Sequence, residues 1–152
     1  MSTKILFVCL GNICRSPLAA GIMTYMFEKY GLEGTAHSAG TSDWNTGSQA
    51  DRRSIKVALD KGIDIRVHRA RQLRNEDFEQ YDAIIVMDGA NERAVRSVAP
   101  PAVHNKIKRV VLHGEVPDPY YGTEAAFREV FETLWTNCDR LARELAGELK
   151  QP

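Results

Sequence analysis

The sequence has few cysteines, no excess of either charge and no long hydrophobic run. Its 152 residues include three cysteines, and 20 basic and 20 acidic side chains leave a formal net charge of zero. No apolar stretch approaches the roughly 20 residues that span a bilayer, and the apolar run near the N-terminus is too short for a signal peptide. An odd number of cysteines without an export signal favours a reducing compartment. We therefore expect a cytoplasmic protein that binds neither nucleic acid nor a membrane.

The spacing that a metal site requires is also missing. Cys9 and Cys14 are five residues apart, Cys138 is far from both, and there is no Cys-x-x-Cys pair or paired histidine. Cys138 falls instead on the apolar stripe of a predicted helix, where a cysteine packs as a small hydrophobic residue. The sequence thus predicts neither a metal nor a cofactor.

Strand-like and helix-like segments alternate along the chain. Strands are predicted over residues 4–9, 35–38, 83–87 and 107–112. Helices are predicted over residues 17–30, 51–61, 75–80 and 123–147, with another that must end by Pro100. In the second of these helices, Ile55, Ala58 and Leu59 are expected to face inward. The alternation predicts one α/β domain over residues 1–152, a four-stranded parallel sheet with helices on both faces.

The first strand leads directly into a segment suited to binding an anion. Gly11 and Asn12 accept unusual backbone angles, Ser16 is a suitable N-cap, and Pro17 suits the first position of a helix. A loop curled over a helix N-terminus directs several backbone N–H groups at one spot, which favours a phosphate.

Two side chains give this loop its chemistry. The same electrostatic field favours the thiolate form of Cys9 over the thiol, which makes it an activated nucleophile. Arg15 adds a planar fork that matches two oxygens of a phosphate group. A Cys-x5-Arg pattern is common by chance, and a free cysteine at a strand end is often only a buried apolar residue. The agreement of strand, loop residues and helix start favours a nucleophilic cysteine in a phosphate-binding loop.

The run from Cys9 to Pro17 resembles the signature of the low-molecular-weight protein tyrosine phosphatases. Later segments resemble further landmarks of that family in the same order: residues 68–72, residues 86–88 with Asn91, and residues 118–122. The resemblance covers essentially the whole chain. It implies the strand order 2-1-3-4, a phosphate loop after the first strand, and hydrolysis of protein phosphotyrosine without a metal.

Phosphoryl transfer to a cysteine assigns roles to three residues. Cys9 would attack phosphorus, while Arg15 and the loop N–H groups would hold the equatorial oxygens. A tyrosine leaving group has a pKa near ~10, so it needs a proton at neutral pH. Asp118, held by Pro119 on a loop after the last strand, is the expected general acid and then the general base, although Asp-Pro alone is also a common turn.

The other predicted site residues surround these three. The phosphate-binding loop comprises Leu10, Gly11, Asn12, Ile13, Cys14 and Ser16. The resemblance implies that Ser38 and His68 support the loop through Asn12, and that Cys14 forms a disulfide with Cys9 under oxidation. The substrate pocket is expected to be walled by Trp44, Asn45, Tyr120 and Tyr121 together with Leu10 and Ile13. Relatives specific for phosphoarginine have threonine in place of Ile13, so the isoleucine favours an aryl substrate.

Two rival functions are compatible with a phosphate-binding cysteine loop. An arsenate reductase of the same fold needs a further pair of cysteines, and residues 75–100 contain none. A non-catalytic phosphotyrosine-binding module has no need of Asp118.

The expected partner is a tyrosine-phosphorylated protein, with a tyrosine kinase as a candidate, and we expect a monomer. Adjacent Tyr120 and Tyr121 are themselves candidate phosphorylation sites, as in some relatives. The basic residues Arg66, Arg71 and Arg74 are expected on the solvated surface.

Overall fold

Four strands and five α-helices alternate in the computed structural model, which describes residues 2–147. The strands are β1 (Thr3–Cys9), β2 (Gly34–Gly40), β3 (Ala83–Val86) and β4 (Ile107–Arg109). The helices are α1 (Arg15–Lys29), α2 (Arg52–Leu59), α3 (Asp77–Gln80), α4 (Gly89–Val98) and α5 (Glu124–Leu145), and a 3₁₀ helix covers Pro101–Lys106. None of the helices within residues 2–147 combines the length and the apolar character needed to cross a membrane.

The sheet is parallel throughout, in the order β2-β1-β3-β4. This confirms the predicted single α/β domain and its strand order. The chain passes from β1 to β2 on one side and then from β2 to β3 on the other, so the strand order reverses next to the carboxyl end of β1. In open α/β sheets, that is where ligands bind.

Helices cover both faces of the sheet, because the side chains of β1 alternate between two apolar clusters. Ile5 and Phe7 pack on the side of α1 and α5, whereas Leu6 and Val8 pack against α3 and α4. All four of these side chains are buried. The central strand is therefore fixed from both faces, and so is the loop that leaves its carboxyl end.

Two details of the predicted elements are wrong. β4 ends at Arg109 instead of residue 112, because its partner β3 ends at Val86, opposite Arg109. Leu59 is 41% exposed, whereas Ser54 of the same helix is fully buried. The buried stripe of α2 consists of Ser54, Val57 and Ala58, so Leu59 falls outside it, and the buried Ser54 hydroxyl donates to the Cys14 carbonyl at 3.2 Å.

Candidate active site

A pocket of about 250 Å³ opens at the carboxyl end of β1. It is lined by Cys9, Leu10, Gly11, Ile13, Cys14, Arg15, Trp44, Asn45, Asp118, Tyr120 and Tyr121. Residues from three separate parts of the chain thus meet around the Cys9 thiol. The other four predicted site residues, Asn12, Ser16, Ser38 and His68, are outside this lining and form a hydrogen-bonded group behind the loop.

Helix α1 begins at Arg15, so the predicted N-cap role of Ser16 is wrong. Cys14 occupies the cap position without a side-chain hydrogen bond. The Ser16 hydroxyl instead lies 2.9 Å from the Cys9 sulfur and accepts a hydrogen bond from the Asn12 amide at 2.8 Å. Because the Ser16 oxygen accepts the hydrogen bond from Asn12, the hydroxyl hydrogen of Ser16 is free to donate to the Cys9 sulfur. A hydroxyl in that position stabilises a thiolate.

Asn12 holds the back of the phosphate loop in an unusual conformation. Its φ of 58° lies in the left-handed region, where asparagine is tolerated better than most residues. Its side-chain amide also donates to the Ser38 hydroxyl at 3.0 Å, and its side-chain oxygen accepts from the Arg71 backbone N–H at 2.9 Å. The His68 Nε2 atom lies 2.7 Å from its carbonyl oxygen. These bonds from three directions fix the loop before any ligand arrives.

The contact with Asn12 also defines the protonation of His68. A carbonyl oxygen can only accept, so Nε2 carries the hydrogen and donates it. Burial lowers the pKa of His68 and the nearby Arg69 charge adds to this, while the hydrogen bond to Asn12 opposes it. The ring is therefore neutral at pH 7 with its second nitrogen unprotonated.

The residues at the end of β2 are hydrogen-bonded to the side of the same loop. The N–H groups of Thr41 and Ser42 donate to the carbonyls of Cys9 and Leu10, at 2.9 and 3.0 Å. A Cβ atom at Gly40 would lie 2.8 Å from the Leu10 carbonyl oxygen, so only glycine permits this approach.

Arg71 is a supporting residue that sequence reasoning missed, because it was expected on the surface. Its guanidinium forms two hydrogen bonds, of 2.9 and 3.0 Å, with the fully buried carboxylate of Asp77. A buried carboxylate requires such a partner. The pair anchors the segment whose backbone reaches Asn12. No local sequence pattern links two residues six apart across a turn, so the pair had no signal by which it could be predicted. Arg66 does lie on the surface as expected.

Arg15 is buried and is oriented by Asp88, whose role was also missed. Nη1 of Arg15 donates to the Asp88 carboxylate at 2.7 Å and to the Val116 carbonyl at 2.8 Å. The other carboxylate oxygen of Asp88 accepts from the Asn91 N–H and so caps α4. An aspartate between a predicted strand and a helix was the available signal. With Nη1 occupied on the interior side, Nη2 remains directed at the pocket.

Asp118 lies across the pocket from the phosphate loop, on an exposed turn. One carboxylate oxygen is 3.7 Å from Arg15 Nη2, and the other accepts from the Tyr120 N–H at 3.1 Å. Its side chain is 44% exposed. Trp44 and Tyr121 are 74% and 97% exposed and form the outer rim of the pocket.

The other two cysteines are buried thiols. Burial is the main cause that raises the pKa of Cys14, and nearby Asp51 and Cys9 add to the effect. Burial raises the pKa of Cys138 to about 12. Cys138 is fully buried on α5, as expected. In the part of the chain that the structure describes, no three His, Cys, Asp or Glu side chains are arranged to hold a metal ion.

Comparison with known proteins gives a consistent result. The family model described as low molecular weight phosphotyrosine protein phosphatase matches residues 4–151. The chain is 39% identical to a protein of that name from Schizosaccharomyces pombe, over 86% of this chain and 89% of the relative. It is 38% identical to a low molecular weight protein-tyrosine-phosphatase of Bacillus subtilis, over 95% and 97% of the two chains. A crystal structure of a protein tyrosine phosphatase from Entamoeba histolytica, with Hepes in its active site, superposes with a TM-score of 0.90 at 35% identity and covers 97% of this chain and 99% of that one.

Proposed function

The chain belongs to the low-molecular-weight phosphotyrosine protein phosphatase family, and from that premise we propose that Cys9, Arg15 and Asp118 carry its reaction. The protein is an enzyme that hydrolyses protein phosphotyrosine. The observation that best supports the three assignments is their meeting in one pocket, where Asp118 and Arg15 approach to 3.7 Å beside the Cys9 thiol.

In the first step, the Cys9 thiolate attacks phosphorus in line with the leaving oxygen. A sulfur–phosphorus bond forms, the phosphorus–oxygen bond of the ester breaks, and protonated Asp118 gives its proton to the departing phenolate. Arg15 Nη2 and the loop N–H groups bind the three equatorial oxygens, because charge develops there in the transition state. The product on the enzyme is a phosphocysteine.

In the second step, a water molecule attacks the phosphocysteine. Asp118, now a carboxylate, takes a proton from that water, the sulfur–phosphorus bond breaks, and inorganic phosphate leaves. The Ser16 hydroxyl is 2.9 Å from the sulfur and can stabilise the thiolate as it is released. One carboxyl group thus acts as acid and then as base, and the enzyme returns to its starting state.

Replacement of the nucleophile tests this mechanism. Cys9→Ser should lower turnover of p-nitrophenyl phosphate by about 10⁴-fold or more, as loss of a nucleophile typically does. Binding of vanadate should persist, because Arg15 and the loop N–H groups remain. Turnover near that of the wild type would eliminate the covalent mechanism. Lost vanadate binding would indicate a damaged loop.

The walls of the pocket favour an aryl phosphate over an alkyl or guanidino phosphate. Leu10, Ile13, Trp44 and Tyr120 offer apolar surface on which a phenyl ring can pack, and Asn45 donates to the Gly11 carbonyl at 3.3 Å beside them. A phosphoserine would leave this surface uncovered. Peptides that carry phosphotyrosine should therefore be hydrolysed faster than matched phosphoserine or phosphoarginine peptides. The substitution Ile13→Thr should reduce the ratio of the phosphotyrosine rate to the phosphoarginine rate.

The domain extent, the oligomeric state, the location and the substrate extend the same proposal. We propose a single phosphatase domain over residues 1–152, a monomer in a reducing cytoplasm, with a tyrosine kinase among its substrates.

The rival functions are not favoured: Cys138, the only cysteine outside the loop, is fully buried and cannot relay electrons as an arsenate reductase requires. Cys9 and Cys14 are proposed to form a disulfide under oxidation, and mass spectrometry after mild peroxide treatment tests it.

A further inference from the structure

Arg53 is not part of the predicted site, yet it contacts the turn that carries Asp118. We call residues 118–122 the acid turn. Arg53, in the first turn of α2, donates from Nη2 to the Tyr120 carbonyl at 2.9 Å and from Nη1 to the Gly122 carbonyl at 3.2 Å. One planar guanidinium therefore holds two carbonyls of the acid turn.

The Arg53 side chain is itself held in place. Its Nε and Nη2 atoms donate to the two carboxylate oxygens of Asp51, at 3.0 and 2.9 Å. Burial would raise the pKa of Asp51, but the hydrogen bonds from Arg53 outweigh this, so the pKa lies below its usual value and the carboxylate stays charged. The guanidinium carbon also lies 4.3 Å from the centre of the Phe127 ring on α5. Carboxylate and ring together allow little choice of rotamer.

The same segment is bonded to the phosphate loop. The Asp51 N–H donates to the Ile13 carbonyl at 2.7 Å, and the Ser54 hydroxyl donates to the Cys14 carbonyl at 3.2 Å. A continuous path of hydrogen bonds thus runs from the loop that holds Cys9, through Asp51 and Arg53, to the acid turn.

Tyr120 connects this path to the proposed acid. Its carbonyl accepts from Arg53, and its N–H donates to the Asp118 carboxylate at 3.1 Å. Gly122, the second residue held by Arg53, donates from its N–H to the Pro119 carbonyl at 2.8 Å and closes the turn. A shift of the Tyr120 backbone would move the Asp118 carboxylate with it.

We propose that Arg53 is a positioning residue that sets the distance between Asp118 and Cys9 by bonding the acid turn to the phosphate loop. This inference depends on the proposed role of Asp118 as the general acid. A misplacement of about 1 Å can lower a rate by about 10²-fold, so loss of the two carbonyl contacts should affect catalysis more than substrate binding.

The chain contains a matched control for this contact. Arg66 forms the same local pair with Asp64, with backbone N–H, Nε and Nη2 bonds of 2.9, 3.0 and 2.8 Å. That pair is on the surface and is not among the residues that line the pocket. Arg66→Ala therefore removes an arginine of the same local geometry without touching the acid turn.

The experiment compares Arg53→Ala, Arg53→Lys, Arg66→Ala and Asp118→Ala with the wild type. For each protein, kcat and KM are measured on phenyl phosphate, a poor leaving group, and on p-nitrophenyl phosphate, a good one. In Arg53→Ala, kcat/KM should fall about 10–100-fold on phenyl phosphate and far less on p-nitrophenyl phosphate, with KM nearly unchanged. Arg53→Lys keeps the charge but not the fork, so it should show a smaller loss of the same kind, and Arg66→Ala should show none.

A double variant makes the test specific. In an Asp118→Ala background, Arg53→Ala should have little further effect, because the group that it positions is gone. Equal losses on both substrates, or losses that multiply in the double variant, would overturn the positioning role. If Asp118→Ala itself shows no leaving-group dependence, the proposed function fails instead. Circular dichroism identifies any variant that does not fold, in which case Arg53→Lys provides the comparison.

Discussion

The phosphate loop and the acid turn face each other across one pocket, but they are held in different ways. The back of the loop is buried, and Asn12 there is bonded from three directions, by Ser16 and Ser38, by the Arg71 backbone and by His68. The acid turn is exposed, with Tyr121 97% accessible, and Arg53 reaches it from one side. Phosphate binding requires hydrogen-bond donors that are fixed in advance, whereas the turn that carries the proposed proton donor must let the substrate enter.

Asp118→Ala should give the largest loss in kcat/KM of the variants that distinguish the acid turn from the phosphate loop. Loss of a general acid typically lowers a rate by about 10²–10⁴-fold. Because the phosphate loop is untouched, the loss in kcat/KM should be concentrated on phenyl phosphate and small on p-nitrophenyl phosphate. Steady-state kinetics on both esters checks it, and equal losses on the two would remove Asp118 from this role.

Asn12→Ala should give the opposite pattern. Alanine cannot make the bonds to Ser16, Ser38 and the Arg71 backbone, and it is strained at a φ of 58°. We expect kcat/KM to fall about 10²-fold on both esters alike, since the cradle for the phosphate is deformed. Vanadate affinity should fall as well. A loss confined to phenyl phosphate would contradict the division between the two regions.

Arg71→Ala should weaken the loop from a distance. It leaves the Asp77 carboxylate buried without its cation, so we expect the free energy of unfolding to fall by about 2 kcal/mol, less than for a fully buried pair because Arg71 is partly exposed. Urea denaturation measures the change, with Arg66→Ala as the surface control. If both variants unfold at the same urea concentration as the wild type, the Arg71–Asp77 pair is not a support.

The smallest expected effect is the pH dependence that His68 contributes. Its pKa is lowered in the folded protein, so below the ordinary value of about 6.5 the unfolded chain binds more protons than the folded one. The contribution of His68 to the free energy of unfolding should therefore fall as pH falls from about 6.5 toward the lowered pKa. Above about pH 6.5 this contribution should be constant. His68→Gln keeps a donor for the Asn12 carbonyl and removes the titration. His37, whose pKa burial also lowers, remains in both proteins, so the difference in urea curves between pH 7.5 and 5 isolates His68.

Sequence reasoning succeeded where the signal was local. The apolar run before Cys9, the Gly-Asn pair and the alternation of elements predicted the sheet, its buried centre and the loop after β1. It failed where the contact follows from no regular spacing along a helix or strand. Ser16 contacts a sulfur seven residues away instead of capping its helix, Arg71 pairs with Asp77 across a turn, and Arg53 reaches carbonyls more than 60 residues on. Such partners become neighbours only through packing.

The position of the two tryptophans gives the enzyme an internal optical probe. Trp44 is 74% exposed at the mouth of the pocket, whereas Trp135 stacks on Phe131 within α5. A soluble quencher such as iodide will reach the indole of Trp44 first, and a bound aryl group will shield it. Fluorescence from the unlabelled protein can therefore report occupancy of the pocket in real time, and Trp135→Phe would remove the background emission.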